Sequence, residues 1–163
     1  MFKLSLSSKE IYDTLHSDLR RIIDLALLIS PVDFKLVEGY RSPEEQFKLY
    51  KKGRIKSNGI WRIINHKKVV TYIDGINKKS KHNYNPSLAV DVAAYVPGHP
   101  ELTYDEKHMI AVGSAIVSAA NLLYKSGKIL HKIRWGADWD GDHELIYDQA
   151  LSDIPHIELV ENE

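Results

Sequence analysis

Apolar residues recur along this chain with two periods, one helical and one alternating. Ile11, Leu15, Leu19, Ile22 and Ala26 fall at helical spacing. Ser7 to Glu10 has the S-x-x-E form of a capping box and Pro31 stops the run, so the pattern predicts one helix between them. Phe34 to Val37 reads as a short strand ending at Gly39-Tyr40-Arg41. Ser42-Pro43-Glu44-Glu45 is a second capping box with proline at the first helical position, and Gly53 closes that helix. Ile60 to Ile64 and Val69 to Ile73 are predicted as two strands of a hairpin joined across Asn65 to Lys68. Leu88 to Tyr95 alternates, with Leu88, Val90 and Val92 on one face and Ala89, Asp91 and Ala93 on the other. Thr103 to Glu106, a third capping box, opens a helix rich in small residues that runs through Ile110, Ile116 and Ala120 to Gly127. Such a helix should lie close against a sheet. Ile129 to Trp135 and Ile154 to Val160 read as the last strands. The order predicts an α+β fold, helices on one face of a small antiparallel sheet, with residues 1–163 as a single domain and no repeat or linker.

Composition narrows the chemistry. A chain of 163 residues can bury a core without disulfides. It has no cysteine, which excludes thiolate zinc sites and cysteine nucleophiles, so any metal must be held by nitrogen and oxygen. The formal net charge is zero, which argues against a dedicated nucleic-acid binder. The charge is uneven, however. Lys48 to Lys81 holds eleven Lys or Arg and one acid, Asp74, whereas Asp138 to the end holds nine acids and no Lys or Arg. These segments read either as solvated faces, or as a basic surface for an anionic polymer and an acidic one for hard cations. The N-terminus lacks the apolar core of a signal peptide and no run is long enough to span a membrane. Synthesis in a cytoplasm, with export by another factor, is the expectation, and a monomer is the simplest state.

Asp91 is out of place between Val90 and Val92 unless something compensates its charge. His82 opens the loop leading to it, and His156 heads the last strand with Asp153 just before. Two such segments can meet around one metal. A His/Asp/His set supplies three ligands to zinc and leaves a position for water. Asp153 is then near enough to take that water's proton, and Arg41, at a strand-to-helix corner, can steady a developing oxyanion. The competing reading makes each histidine a satisfied structural residue and Asp91 a buried acid paired with a lysine. His16, His66, His99, His108, His131 and His143 read as surface or incidental.

Ser80-x-His82, Ala89-Val90-Asp91 and Asp153-x-x-His156 resemble the M15 family of zinc peptidases, which includes D-Ala-D-Ala peptidases and phage endolysins. Gly39-Tyr40-Arg41-Ser42 with Gln46, and Arg134-Trp135-Gly136-Ala137-Asp138-Trp139, extend the resemblance in family order from about Phe34 to Val160. It is greatest to endolysins that act as L-alanyl-D-glutamate peptidases. The resemblance implies that His82, Asp91 and His156 bind zinc, that Asp153 is the catalytic acid/base and that Arg41 stabilises the transition state. It also implies a peptidoglycan substrate and action in the cell wall or periplasm, leading to lysis. The chain departs from the pattern in a longer His82-to-Asp91 gap, around Asn83 to Pro86, and in a longer hairpin around Trp61 and Tyr72. Asp138, Asp140 and Asp142 form an acidic loop that is a poor EF-hand by spacing, with Gln149 where the last glutamate belongs; the resemblance adds calcium as a second reading. The rivals are a D-alanyl-D-alanine carboxypeptidase and a non-catalytic zinc-folded wall-binding module.

Overall fold

The chain begins with two short helices where the spacing predicted one. In the computed structural model α1 spans Leu6–Asp13 and α2 spans Ser17–Ile29. The described residues are 2–142, 145 and 152–161, so His143 and Gln149 lie outside them. Ser5, not Ser7, caps α1, accepting from Ser8 N. Helical periodicity runs through Leu15 unbroken, but the backbone there has other partners. Ser87 N donates to Thr14 O at 2.8 Å and His16 N to Ser87 O at 2.9 Å. His16 then caps α2, its Nδ1 accepting from Asp18 N at 3.1 Å.

β1 (Asp33–Glu38) leads to α3 (Pro43–Tyr50), whose capping box forms as the sequence reads, with Ser42 and Glu45 satisfying each other's amides. β2 (Arg54–Ser57) and β3 (Ile60–Ile63) then make a hairpin whose partners differ from the predicted ones. The turn is Asn58-Gly59, with φ of 50° and 81°. Asn-Gly accepts two left-handed positions and so matches strand twist in a two-residue loop. Val69 to Ile73 is not a strand. Gln46 Nε2 takes the Ile73 carbonyl at 2.8 Å and reaches Thr71 Oγ1 at 3.3 Å.

β4 (Ala89–Tyr95), α4 (Glu106–Lys125), β5 (Lys132–Trp135) and β6 (His156–Val160) complete the order. Asp105 caps α4, in place of Thr103, because a short turn at Pro100–Leu102 delays the helix. The main sheet is antiparallel in the order β1-β4-β6-β5. Val90, Val92, Ile157 and Leu159 pack into a core with Leu19, Ile22, Ile23 and Ile116 of α2 and α4. Each such aliphatic side chain contributes roughly 1.5–3 kcal/mol on burial. The small residues of α4 allow the close approach expected of them: a Cβ at Gly113 would lie 2.1 Å from the Trp135 ring. With one face covered, alternation turns Asp91, His156 and Glu158 to the other face.

His16 and His131 turn out to have structural partners. Asp18, buried at the start of α2, accepts from Leu130 N, His131 N and His131 Nδ1 at 2.9, 3.2 and 2.8 Å. These bonds tie α2 to the approach to β5. Burial pushes the Asp18 carboxyl up, but they outweigh it and hold the carboxyl below its usual range.

Candidate metal centre

Asp91 and His156 stand directly opposite each other in the β4–β6 pairing. His82 is brought to them by a tight turn, Lys81–Asn83, that Ser80 and Asn83 cap reciprocally. The turn is laced to the corner after β1: Arg41 N donates to His82 O at 2.9 Å and Asn83 Nδ2 to Arg41 O at 2.8 Å. The lengthened loop after Asn83 therefore leaves His82 in place.

Three donor atoms converge. Asp91 Oδ1 lies 3.0 Å from His156 Nδ1 and 3.3 Å from His82 Nε2, and the two nitrogens are 3.2 Å apart. A tetrahedral zinc with bonds of about 2.0–2.1 Å has ligand-to-ligand edges of about 3.3–3.4 Å, so this triangle is nearly one face of that polyhedron. The outer ring nitrogens set the tautomers. His82 Nδ1 is 2.7 Å from Gly39 O, which can only accept, so Nε2 presents a lone pair inward. His156 Nε2 donates to Glu158 Oε2 at 3.1 Å, leaving Nδ1 inward. Such outer partners orient and strengthen metal-binding histidines. Three electron-rich atoms aimed at one point repel unless a cation or proton lies among them.

Electrostatics agree with the geometry. Burial raises the Asp91 carboxyl, but its contacts with His156 and His82 outweigh it and hold Asp91 far below its usual range. Burial lowers His156, yet Asp91 and Glu158 push it up to about 9. Burial likewise raises Glu158, and His156 and Arg134 bring it down. Arg134 Nε and NH2 both reach Glu158 Oε1, at 3.0 and 2.5 Å. The Trp139 ring lies 5.5 Å from the His156 ring and 5.2 Å from the Arg134 guanidinium.

Asp153 and Arg41 line the same cleft, of about 850 Å³, as the triangle. Burial and the neighbouring charge of Asp91 push the Asp153 carboxyl up. Its backbone is gripped by Gly136: Asp153 N donates to Gly136 O and Gly136 N to His156 O, both at 2.8 Å. A Cβ at Gly136 would lie 2.1 Å from Asp153 O, so no other residue fits without moving Asp153. Arg41 is buried and oriented on two sides. Glu38 takes Nε at 2.7 Å and also NH2, and Gln46 Oε1 takes NH1 at 2.7 Å. Asp91 Oδ2 lies 3.7 Å from NH2. Glu38 reaches Arg41 because the β1–β4 register shifts between Leu36 and Glu38, setting Glu38 against Asp91.

All five residues expected around the zinc site thus line one cleft. Sequence reasoning gave no role to Glu158, Gln46, Glu38 or Gly136. Glu158 had a signal, since it shares a strand face with His156; Glu38 had none, because the register shift that aims it arises between strands. Asp138, Asp140 and Asp142 bring carboxylate oxygens within 4.8 Å of one another, as do the donor atoms of His16, Asp18 and His131. In the latter cluster Asp18 Oδ2 already takes three N–H groups, and His16 Nδ1 is held by its helix cap.

An α+β sheet with a three-donor centre on its open face is the architecture these observations define. The chain belongs to the phage L-alanyl-D-glutamate peptidase family, whose model matches residues 1–160. It is 30% identical over 135 residues to peptidoglycan L-alanyl-D-glutamate endopeptidase CwlK of Bacillus subtilis (strain 168), across 80% of this chain and 63% of that protein. The chain thus spans less than two thirds of that relative's length. The fold is similar to the crystal structure of Serratia marcescens L-Ala D-Glu endopeptidase ChiX, with a TM-score of 0.62 and 24% identity over 97% of this chain and 90% of that one. Among the described residues no helix is long and apolar enough to cross a membrane.

Proposed function

We propose that this protein is a zinc-dependent peptidoglycan peptidase that hydrolyses the L-alanyl-D-glutamate bond of stem peptides. Residues 1–163 form its catalytic domain, and it acts as a monomer on the cell wall after release from the cytoplasm that makes it. Nucleic acid is no partner in this reading. The observation that carries it is the triangle of His82 Nε2, Asp91 Oδ1 and His156 Nδ1, set in a cleft beside Asp153, in a chain of this family.

His82, Asp91 and His156 would hold the metal. A zinc ion there would supply Lewis acidity toward the scissile carbonyl and the attacking water. Asp153, with its carboxyl raised by burial and by Asp91, takes a proton from the attacking water and returns it to the leaving amine. Arg41 stabilises the carbonyl oxygen as it gains negative charge. With Nε, one NH1 hydrogen and one NH2 hydrogen engaged among the described residues, each terminal nitrogen keeps a hydrogen for that purpose. Glu38 and Gln46 fix the guanidinium plane, which spares part of the entropy of positioning it. Calcium at Asp138, Asp140 and Asp142 is a further proposal resting on the proximity of three carboxylates and the acidic-loop resemblance. It is withdrawn if millimolar calcium changes neither Tm nor activity.

Mass spectrometry of fragments from purified peptidoglycan, with and without a chelator, tests the reaction. Chelator-sensitive fragments with a new glutamate N-terminus are expected. Loss of terminal D-alanine alone would reassign the enzyme as a carboxypeptidase. No cleavage with one equivalent of zinc bound would reduce it to a binding module.

A further inference from the structure

The metal cleft has one strongly cationic wall. Lys52, Lys78, Lys79 and Lys81 all line it, together with Tyr72 and Tyr84. Among the described residues none of the four lysines forms an ion pair; the Lys79 ammonium lies 5.5 Å from the Tyr84 ring centroid. Among the described residues none of the acids that line the cleft, Asp91, Asp153 and Glu158, pairs with a lysine. Asp91 is held by His82 and His156, and Glu158 by His156 and Arg134. Four like charges gathered without counter-ions repel one another, and an anion docking among them relieves that cost.

The wall is built, not merely loose lysines on a coil. Asp74 Oδ1 accepts from the amides of Ile76, Asn77 and Lys78 at 2.9, 2.9 and 3.2 Å, and Gly75 N donates to Lys78 O at 3.0 Å. Gly75 has φ of +77° and sits so close to Gln46 that a Cβ there would lie 2.7 Å from it. Gln46 in turn holds Ile73 O on one side and Arg41 on the other. The lysine-bearing loop and the oxyanion-facing arginine are therefore positioned by one buried side chain.

We infer that Lys52, Lys78, Lys79 and Lys81 form a subsite for the carboxylates of the stem peptide on the leaving-amine side of the scissile bond. This rests on the proposed reaction. A glutamyl residue joined onward through one carboxyl keeps the other as a free carboxylate, and in an L-alanyl-D-glutamate bond that residue supplies the leaving amine. The subsite makes the free acid a specificity element: amidation of that carboxyl removes the charge the wall receives.

Two synthetic peptides test this, N-acetyl-L-alanyl-D-glutamyl peptide with the glutamyl carboxyl free and its carboxamide analogue. The wild-type protein is expected to show a KM at least tenfold lower for the acid, with similar kcat. The variant Lys78→Gln/Lys79→Gln/Lys81→Gln should lose that preference by raising KM for the acid alone, while Lys107→Gln/Lys125→Gln on α4 should keep it. Added salt should shrink the wild-type difference. Equal KM values for the two peptides in the wild type, or a preference that survives in the triple variant, overturn the subsite. If binding to whole walls falls in the triple variant while the short peptides are not discriminated, the lysines serve polymer attraction and the subsite is again overturned. If the wild type cleaves neither peptide, the proposed reaction fails, and calorimetric binding of the two peptides decides the wall. Tighter binding of the acid, lost in the triple variant, supports it; equal binding overturns it.

Discussion

Asp91 and His156 are paired across β4 and β6, and their Oδ1 and Nδ1 atoms lie 3.0 Å apart. That contact is a hydrogen bond only while His156 carries a proton on Nδ1, because its Nε2 hydrogen is engaged by Glu158. With His156 pushed up to about 9, that proton is present at neutral pH in the metal-free protein. Zinc and the proton compete for one place.

Zinc binding should therefore release close to one proton at pH 7. The raised pKa means the proton is bound below about 9 and absent above it. Apparent zinc affinity should then rise about tenfold per pH unit from 7 towards 9 and level off beyond. Calorimetric titrations in two buffers of different ionisation heat measure the proton count; a count of zero at pH 7 would refute the competition. Because Val90, Val92, Ile157 and Leu159 pack on the opposite face, chelation should leave far-UV circular dichroism unchanged while abolishing activity.

Glu158→Gln should weaken zinc binding about 10–100-fold, since it removes the carboxylate that orients and polarises His156. Competition with a chelator of known affinity reads this directly. Folding should be little affected, because Arg134, the other partner, is half exposed. Unchanged affinity would reduce Glu158 to a packing residue.

Asp153→Asn should lower kcat about 10²–10⁴-fold with zinc retained. In the wild type the base must be ionised to accept a proton, so kcat/KM should fall as pH drops through a value raised above that of an ordinary aspartate, and the variant should lose that limb. Gly136→Ala tests position apart from chemistry. Its Cβ would lie 2.1 Å from Asp153 O, and a displacement of about 1 Å can cost about 10²-fold in rate. A fully active alanine variant would show that Asp153 tolerates misplacement and is no proton carrier.

Asp18→Asn should destabilise the fold by about 1–3 kcal/mol, because a buried carboxylate that accepts three N–H bonds is replaced by a neutral amide. The lowered pKa makes this contribution fully present above the ordinary carboxylate value and lost as pH falls through the lowered one. Urea midpoints at pH 7 and pH 3 should thus differ more in the wild type than in the variant. An equal pH dependence would remove Asp18 as the acid-sensitive link between α2 and β5.

Much of the site was legible before any coordinates. Asp91 stood out because an acid flanked by Val90 and Val92 needs a compensating partner, and alternation alone put His156 and Glu158 on one face. The capping box at Ser42 was readable because its partners are three residues apart. The Asn58-Gly59 turn was equally local, yet the apolar run Val69 to Ile73 looked more strand-like, and Gln46 took its backbone partners instead.

The sequence alone determined the alternating strands, the helix with its small residues, and the nitrogen and oxygen donors available in a chain without cysteine. Those depend on spacings of a few residues, which periodicity and composition record. Only the tertiary structure decided that α1 and α2 part at Ser87, that Glu38 and Gln46 share Arg41, that Gly136 seats Asp153, and that the lysine loop forms a wall of the cleft lined by His82, Asp91 and His156. Each of these is a contact whose geometry is set between elements, through strand register and packing, and no spacing along the chain encodes it.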